Sequence, residues 1–148
     1  MSVEHQSFYP GDRATPEQLM ALADEYRKAA EFLLPTGRRG RPLSRAPFRL
    51  VAIQSIELYL DAFLRVRGFK PAELRGMQHN LVVRTQRAVT AGLSLRKDTF
   101  NHLNNLSTAR EYLITRYGPE MTDATSHLNR LEATLKEVAQ KVTAAIAV

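Results

Sequence analysis

The sequence predicts an all-α protein, an up-and-down antiparallel bundle of four to five helices. Three observations point there. Apolar residues recur at three- and four-residue spacing in five successive stretches. Glycine and proline fall between those stretches rather than inside them. No segment shows the strict alternation of a half-buried strand. At 148 residues the chain is expected to form one domain, 1–148, with its own core.

Residues 1–14 lack periodicity and contain Pro10-Gly11-Asp12, so they are expected to form an irregular arm docked through Phe8 and Tyr9. Thr15-Pro16-Glu17-Gln18 opens the first helix: Thr15 caps it, Pro16 suits its first position, and Gln18 completes a capping box. The helix should stop at Leu34, because Pro35 disfavours a helical predecessor. Residues 35–46, rich in glycine, proline and arginine, are expected to be a flexible basic loop.

The second helix, about Pro47 to Arg67, is apolar nearly all round, which marks a buried helix. Ile53, Ile56, Leu60, Phe63 and Leu64 form one face; Phe48, Tyr59 and Val66 belong to a broad second one. A second copy of the chain is expected to cover that second face, making a homodimer. Glu57 stands as a lone charge in the first face. Gly68 suits the left-handed position beyond the helix. Residues 69–76 read as a turn. A third helix runs from His79-Asn80-Leu81 to about Ala91 and faces inward with Leu81, Val82, Thr85, Ala88 and Val89. A fourth is expected from Asp98 or Thr99 without interruption to Tyr117, with Arg110 in the middle of its apolar stripe. The last, within 122–148, carries Leu128, Leu131, Leu135, Val138, Val142 and Ala145 at coiled-coil spacing.

The formal net charge is +6 and unevenly distributed. No acid lies between Glu31 and Glu57, where Arg38, Arg39, Arg41, Arg45 and Arg49 occur, nor between Glu73 and Asp98. Arginine outnumbers lysine, and its planar fork matches phosphate oxygens. These windows are either solvated surface or a phosphate-contacting surface made by Arg38, Arg39 and Arg41. Arg116 and Tyr117 offer a further edge for phosphate contact and base stacking. The absence of cysteine rules out disulfides and thiolate metal sites, and the four scattered histidines show no ligand spacing. No metal, cofactor or membrane contact is expected, nor a secretory leader; the expected location is cytoplasmic.

Two constellations carry chemistry. A charge inside an apolar stripe costs several kcal/mol unless paired. Glu57 and Arg110 are therefore expected to meet, with His79 as a third member. The trio is either a register-fixing network or a ligand cleft. Arg96 and His102 flank the start of the fourth helix and have the residue types for metal-independent RNA cleavage, with His102 as base or acid and Arg96 on the phosphate. A surface arginine and a structural histidine satisfy the same pattern.

Several pieces occur in an order that resembles the HEPN superfamily of helical domains: Ala52-Ile-Gln-Ser-Ile-Glu57-Leu-Tyr-Leu-Asp-Ala-Phe-Leu64, then Gln78-His79-Asn-Leu81, then Ala109-Arg110-Glu-Tyr112, closed by Thr115-Arg116-Tyr117. The resemblance covers roughly residues 47–118. It implies an up-and-down helical bundle, often dimeric, and dealings with RNA or nucleotides. Toxin–antitoxin and defence settings are common, with a nucleotidyltransferase-type antitoxin as a typical partner. It also implies, in many members, an endoribonuclease signature of Arg, a polar residue, then His. Arg96 to His102 has the spacing, but Lys97 departs from the usual follower. The chain resembles the branch ending in Arg-Tyr, which commonly lacks that signature. The expected function is a non-catalytic module binding nucleic acid, nucleotide or a partner protein. The alternatives are an endoribonuclease using Arg96 and His102, or a purely structural dimeric domain.

Overall fold

The computed structural model describes residues 8–147, which are mostly helical with no strand among them. The described residues form seven α-helices: α1 (Pro16–Leu33), α2 (Ala46–Val66), α3 (Pro71–Gly76), α4 (Leu81–Thr90), α5 (Lys97–Thr108), α6 (Glu111–Tyr117) and α7 (Leu128–Ala147). Short 3-10 turns occupy Leu34–Thr36, Pro42–Arg45 and Pro119–Ala124. Four to five helices were expected; the two additional ones arise locally. Pro71 starts a short helix in the segment read as a turn, and the expected fourth helix is broken in two.

Local chemistry explains the ends. Thr15 and Gln18 make the reciprocal capping box that opens α1. Gly68 lies at φ +96°, where a side chain would be strained, and lets the chain leave α2. Asn80 caps α4 by accepting from the Val83 N–H.

α2 is the centre. Ile56, Tyr59, Leu60, Phe63 and Leu64 are fully buried, and α1, α4, α6 and α7 all pack against it. The Tyr59 hydroxyl bonds Asp24 and accepts from Arg27 Nε at 3.0 Å; Ser55 donates to the Ala23 carbonyl at 2.8 Å. Burial, with the Asp24 bond, pushes the Tyr59 phenol up to about 12. The α7 stripe Leu131, Leu135, Val138 and Val142 closes the core.

This packing corrects one expectation. Phe48 and Tyr59 are covered by the chain's own helices, so that face of α2 is not free for a second copy; Val66, at the end of α2, stays exposed. The arm falls partly outside the described residues. Within them, Phe8 and Tyr9 are exposed, and Arg75 lies over the Tyr9 ring at 5.0 Å and 3.4 Å from Asp12.

Candidate functional site: an arginine-lined cleft and two polar networks

The segment expected to be a flexible loop is built. Arg38 and Arg41 pair across a tight turn whose Gly40 has φ +74°. Ser44 ties it down: its hydroxyl accepts from the Arg38 N–H at 2.7 Å and donates to the Arg41 carbonyl at 2.6 Å. A side chain at Gly37 would lie 2.6 Å from Arg45 Nη1 and 2.9 Å from Arg45 Cγ, so the glycine admits the arginine against the backbone.

This turn, the start of α2, the end of α6 and the segment leading to α7 enclose a cleft of about 580 Å³. Arg38, Arg41, Arg45, Arg49 and Arg116 line it with Tyr117 and His127, and no carboxylate does. Tyr117 is 76% exposed. The fold thus brings together four of the five residues expected to contact phosphate: Arg38, Arg41, Arg116 and Tyr117. Arg39 does not line the cleft; it is exposed at the turn. The two ends of the cleft are far apart in sequence, so only the tertiary structure shows that they share one wall.

Arg49 differs from the rim arginines. It is 9% exposed, and its Nη1 donates to Glu111 Oε2 at 3.0 Å. Glu111 is 1% exposed, and its Oε1 accepts from the Ser126 N–H at 2.7 Å. A polar chain continues inward. The His102 ring contacts Ser126 Oγ at 2.9 Å through Nε2 and Thr134 Oγ1 at 2.7 Å through Nδ1. Arg130 donates to Thr134 at 3.4 Å and to Thr99 at 3.0 Å. Thr99 donates to Glu137 at 2.6 Å, which also accepts from the Arg96 N–H at 2.7 Å.

This geometry defines what Arg96 and His102 do in the fold. Arg96 caps α5 through its backbone, and its side chain is exposed. His102 is buried with both nitrogens engaged; burial, with the Arg130 and Arg49 charges, holds it down at about 4. A ring neutral at pH 7 and bonded on both sides is suited to pinning α5 to α7. Burial pushes the Glu137 carboxyl up, but hydrogen bonds from Lys141, Thr99 and the Arg96 N–H outweigh it and hold it below its ordinary value.

The second network corrects the Glu57–Arg110 expectation. Glu57 meets His79 Nδ1 at 3.2 Å and Arg84 Nη2 at 3.6 Å, not Arg110. Arg84, 3% exposed, also donates to Asp61 Oδ1 at 2.7 Å and to the Leu74 carbonyl at 3.3 Å. Burial pushes the Asp61 carboxyl up to about 6, with Arg84 working against it. Arg110 is exposed and lies at φ +54°, in the left-handed region. There the expected fourth helix breaks: α5 ends at Thr108 and α6 restarts at Glu111. The break shifts the helical phase, so Glu111 takes the inward place expected for Arg110. His79, its ring tilted against that of Tyr112 at 5.5 Å, and Arg110 nevertheless line one open cleft of about 810 Å³.

Sequence reasoning missed Arg84, Glu111, Ser126, Arg130 and Thr134 as network members. Two of them left a signal. Arg84 falls on the α4 stripe between Leu81 and Ala88, and Thr134 falls on the α7 stripe between Leu131 and Val138. Glu111 left none without knowledge of the break. Among the described residues no cluster of His, Asp and Glu is arranged to hold a metal ion, and no helix is long and apolar enough to cross a membrane. Comparisons with protein-family models, curated proteins and solved structures find no match for this chain.

Proposed function

We propose that the chain is a non-catalytic, HEPN-like helical bundle that binds RNA, with the arginine-lined cleft as its phosphate-contacting surface. The observation that carries this reading is the convergence of Arg38, Arg41, Arg45, Arg49 and Arg116 on one cleft without a single lining carboxylate. Arginines from a turn and from a helix end would repel one another around that cleft; an anionic ligand turns this cost into affinity. Tyr117 at the mouth offers a face for a base. The order of motifs from Ala52 to Tyr117 supports the HEPN part of the proposal. The engaged nitrogens of His102 favour binding over cleavage by Arg96 and His102.

Salt dependence tests it. Binding of a single-stranded RNA should weaken with a log–log slope of about −3, as expected for roughly four phosphates neutralised at about −0.7 each. Replacing Arg41 and Arg116 by glutamine should make that slope shallower by about 1.4. A flat salt response, or a slope unchanged in the double variant, removes the cleft from the account.

A further inference from the structure

We infer that the cleft is selective for a nucleotide phosphomonoester, the terminal phosphate of an RNA strand or of a free nucleotide, over the internal phosphodiesters of a chain. This rests on the RNA-binding reading above and narrows it. The structural basis is Arg49. Unlike the rim arginines it is nine-tenths buried, yet it lines the cleft. Glu111 fixes its Nη1, and the Ser126 N–H in turn fixes Glu111. Among the described residues no side chain or carbonyl accepts from its Nε or Nη2. The arginine is therefore held in place before any ligand arrives, with N–H groups left to donate.

Reaching those donors requires a group that enters the cleft. An internal phosphate offers two free oxygens, and both of its chain continuations must leave again. A terminal phosphate offers three free oxygens on a group carrying about −1.5 to −2 charge at neutral pH, with one continuation. Arg45, laid against Gly37, adds a second guanidinium to the same walls. A volume of about 580 Å³ falls in the range of small-ligand pockets. The exposed Tyr117 ring is placed at the cleft to stack the terminal base.

The test compares three fluorescent single-stranded RNAs of one sequence, with a 5′-phosphate, a 3′-phosphate or hydroxyls at both ends. Each is titrated with the full chain by polarisation near physiological salt. We expect at least one phosphorylated end to bind about 10-fold more tightly than the hydroxyl-ended strand, as charge-assisted bonds from a fixed arginine should give. Arg49→Gln alone strands a buried carboxylate, so the variants are Arg49→Gln with Glu111→Gln, and separately Arg45→Gln, each checked for helicity by circular dichroism. The paired variant should bring the preference down to about one; Arg45→Gln should reduce it. Competition by a nucleoside monophosphate separates a free-nucleotide ligand from a strand end, both of which support the inference. Equal binding of all three strands with a steep salt response overturns the inference and leaves the RNA-binding reading standing. A preference that survives in both variants also overturns it. No binding of any strand overturns both.

Discussion

Asp61 and His102 pull the stability of this protein in opposite directions across the same pH range. In the folded chain Asp61 titrates at about 6 rather than 3.8, because it is buried. The folded state holds that proton where the unfolded state has released it, so the contribution is full below about pH 4 and lost as pH rises to about 6. His102 titrates at about 4 rather than 6.5, again through burial. The unfolded state takes up that proton first, so this contribution is full above about pH 6.5 and lost as pH falls to about 4. Each shift is about two pKa units, and at about 1.36 kcal/mol per unit each is worth about 3 kcal/mol. The two slopes therefore largely cancel in the wild-type chain, and single variants should expose them. Asp61→Asn removes the first term. Taken from pH 7 to pH 4, it should lose about 3 kcal/mol more stability than wild type. His102→Gln, whose amide can still reach Ser126 and Thr134, should gain about 3 kcal/mol relative to wild type over the same interval. Urea unfolding at pH 4, 5, 6 and 7 measures both. If the difference from wild type is flat with pH for both variants, the burial argument is wrong.

Two further outcomes follow from the networks. Arg49→Met leaves Glu111 buried with only the Ser126 N–H, so it should cost about 3 kcal/mol and lower Tm by roughly 6–12 °C in a thermal-shift assay; a fall of less than about 3 °C refutes the buried pair. Arg110→Gly should do the reverse. The side chain is exposed and the backbone left-handed, so glycine relieves strain and should raise Tm by about 1–3 °C, whereas an arginine paired with Glu57 would make the same change strongly destabilising.

The contrast between Arg110 and Glu111 shows how far a one-dimensional pattern reaches. Glu57 was recognisable as an acid needing a partner because α2 is a long uninterrupted helix, and within such a helix the 100° step fixes which residues share a face. His79 was found as its partner. Arg84 was not, although it stands on the α4 stripe, because a cation on that stripe reads equally well as a surface residue. Beyond Thr108 the periodic argument failed at Arg110. A single residue in the left-handed region resets the helical phase, and nothing in Ala109-Arg110-Glu111 announces it, since no glycine is present. The same holds for the loop at 35–46: its glycines and prolines mark a turn, but the Ser44 bridge that ties it together depends on chain reversal.

The sequence by itself determined the helical class, the cap at Thr15, the exit at Gly68, the burial of α2 and the α7 seam, because each follows from bonds and faces within a few residues. It also named Arg38, Arg41, Arg116 and Tyr117 one at a time as phosphate-contacting candidates. Only the tertiary structure decided that these four share a cleft with a buried Arg49 at its wall, and that Glu57 turns to Arg84 rather than to Arg110. Those are pairings between residues tens of positions apart, and their energies depend on burial and on distances of about 3 Å, which no local spacing encodes.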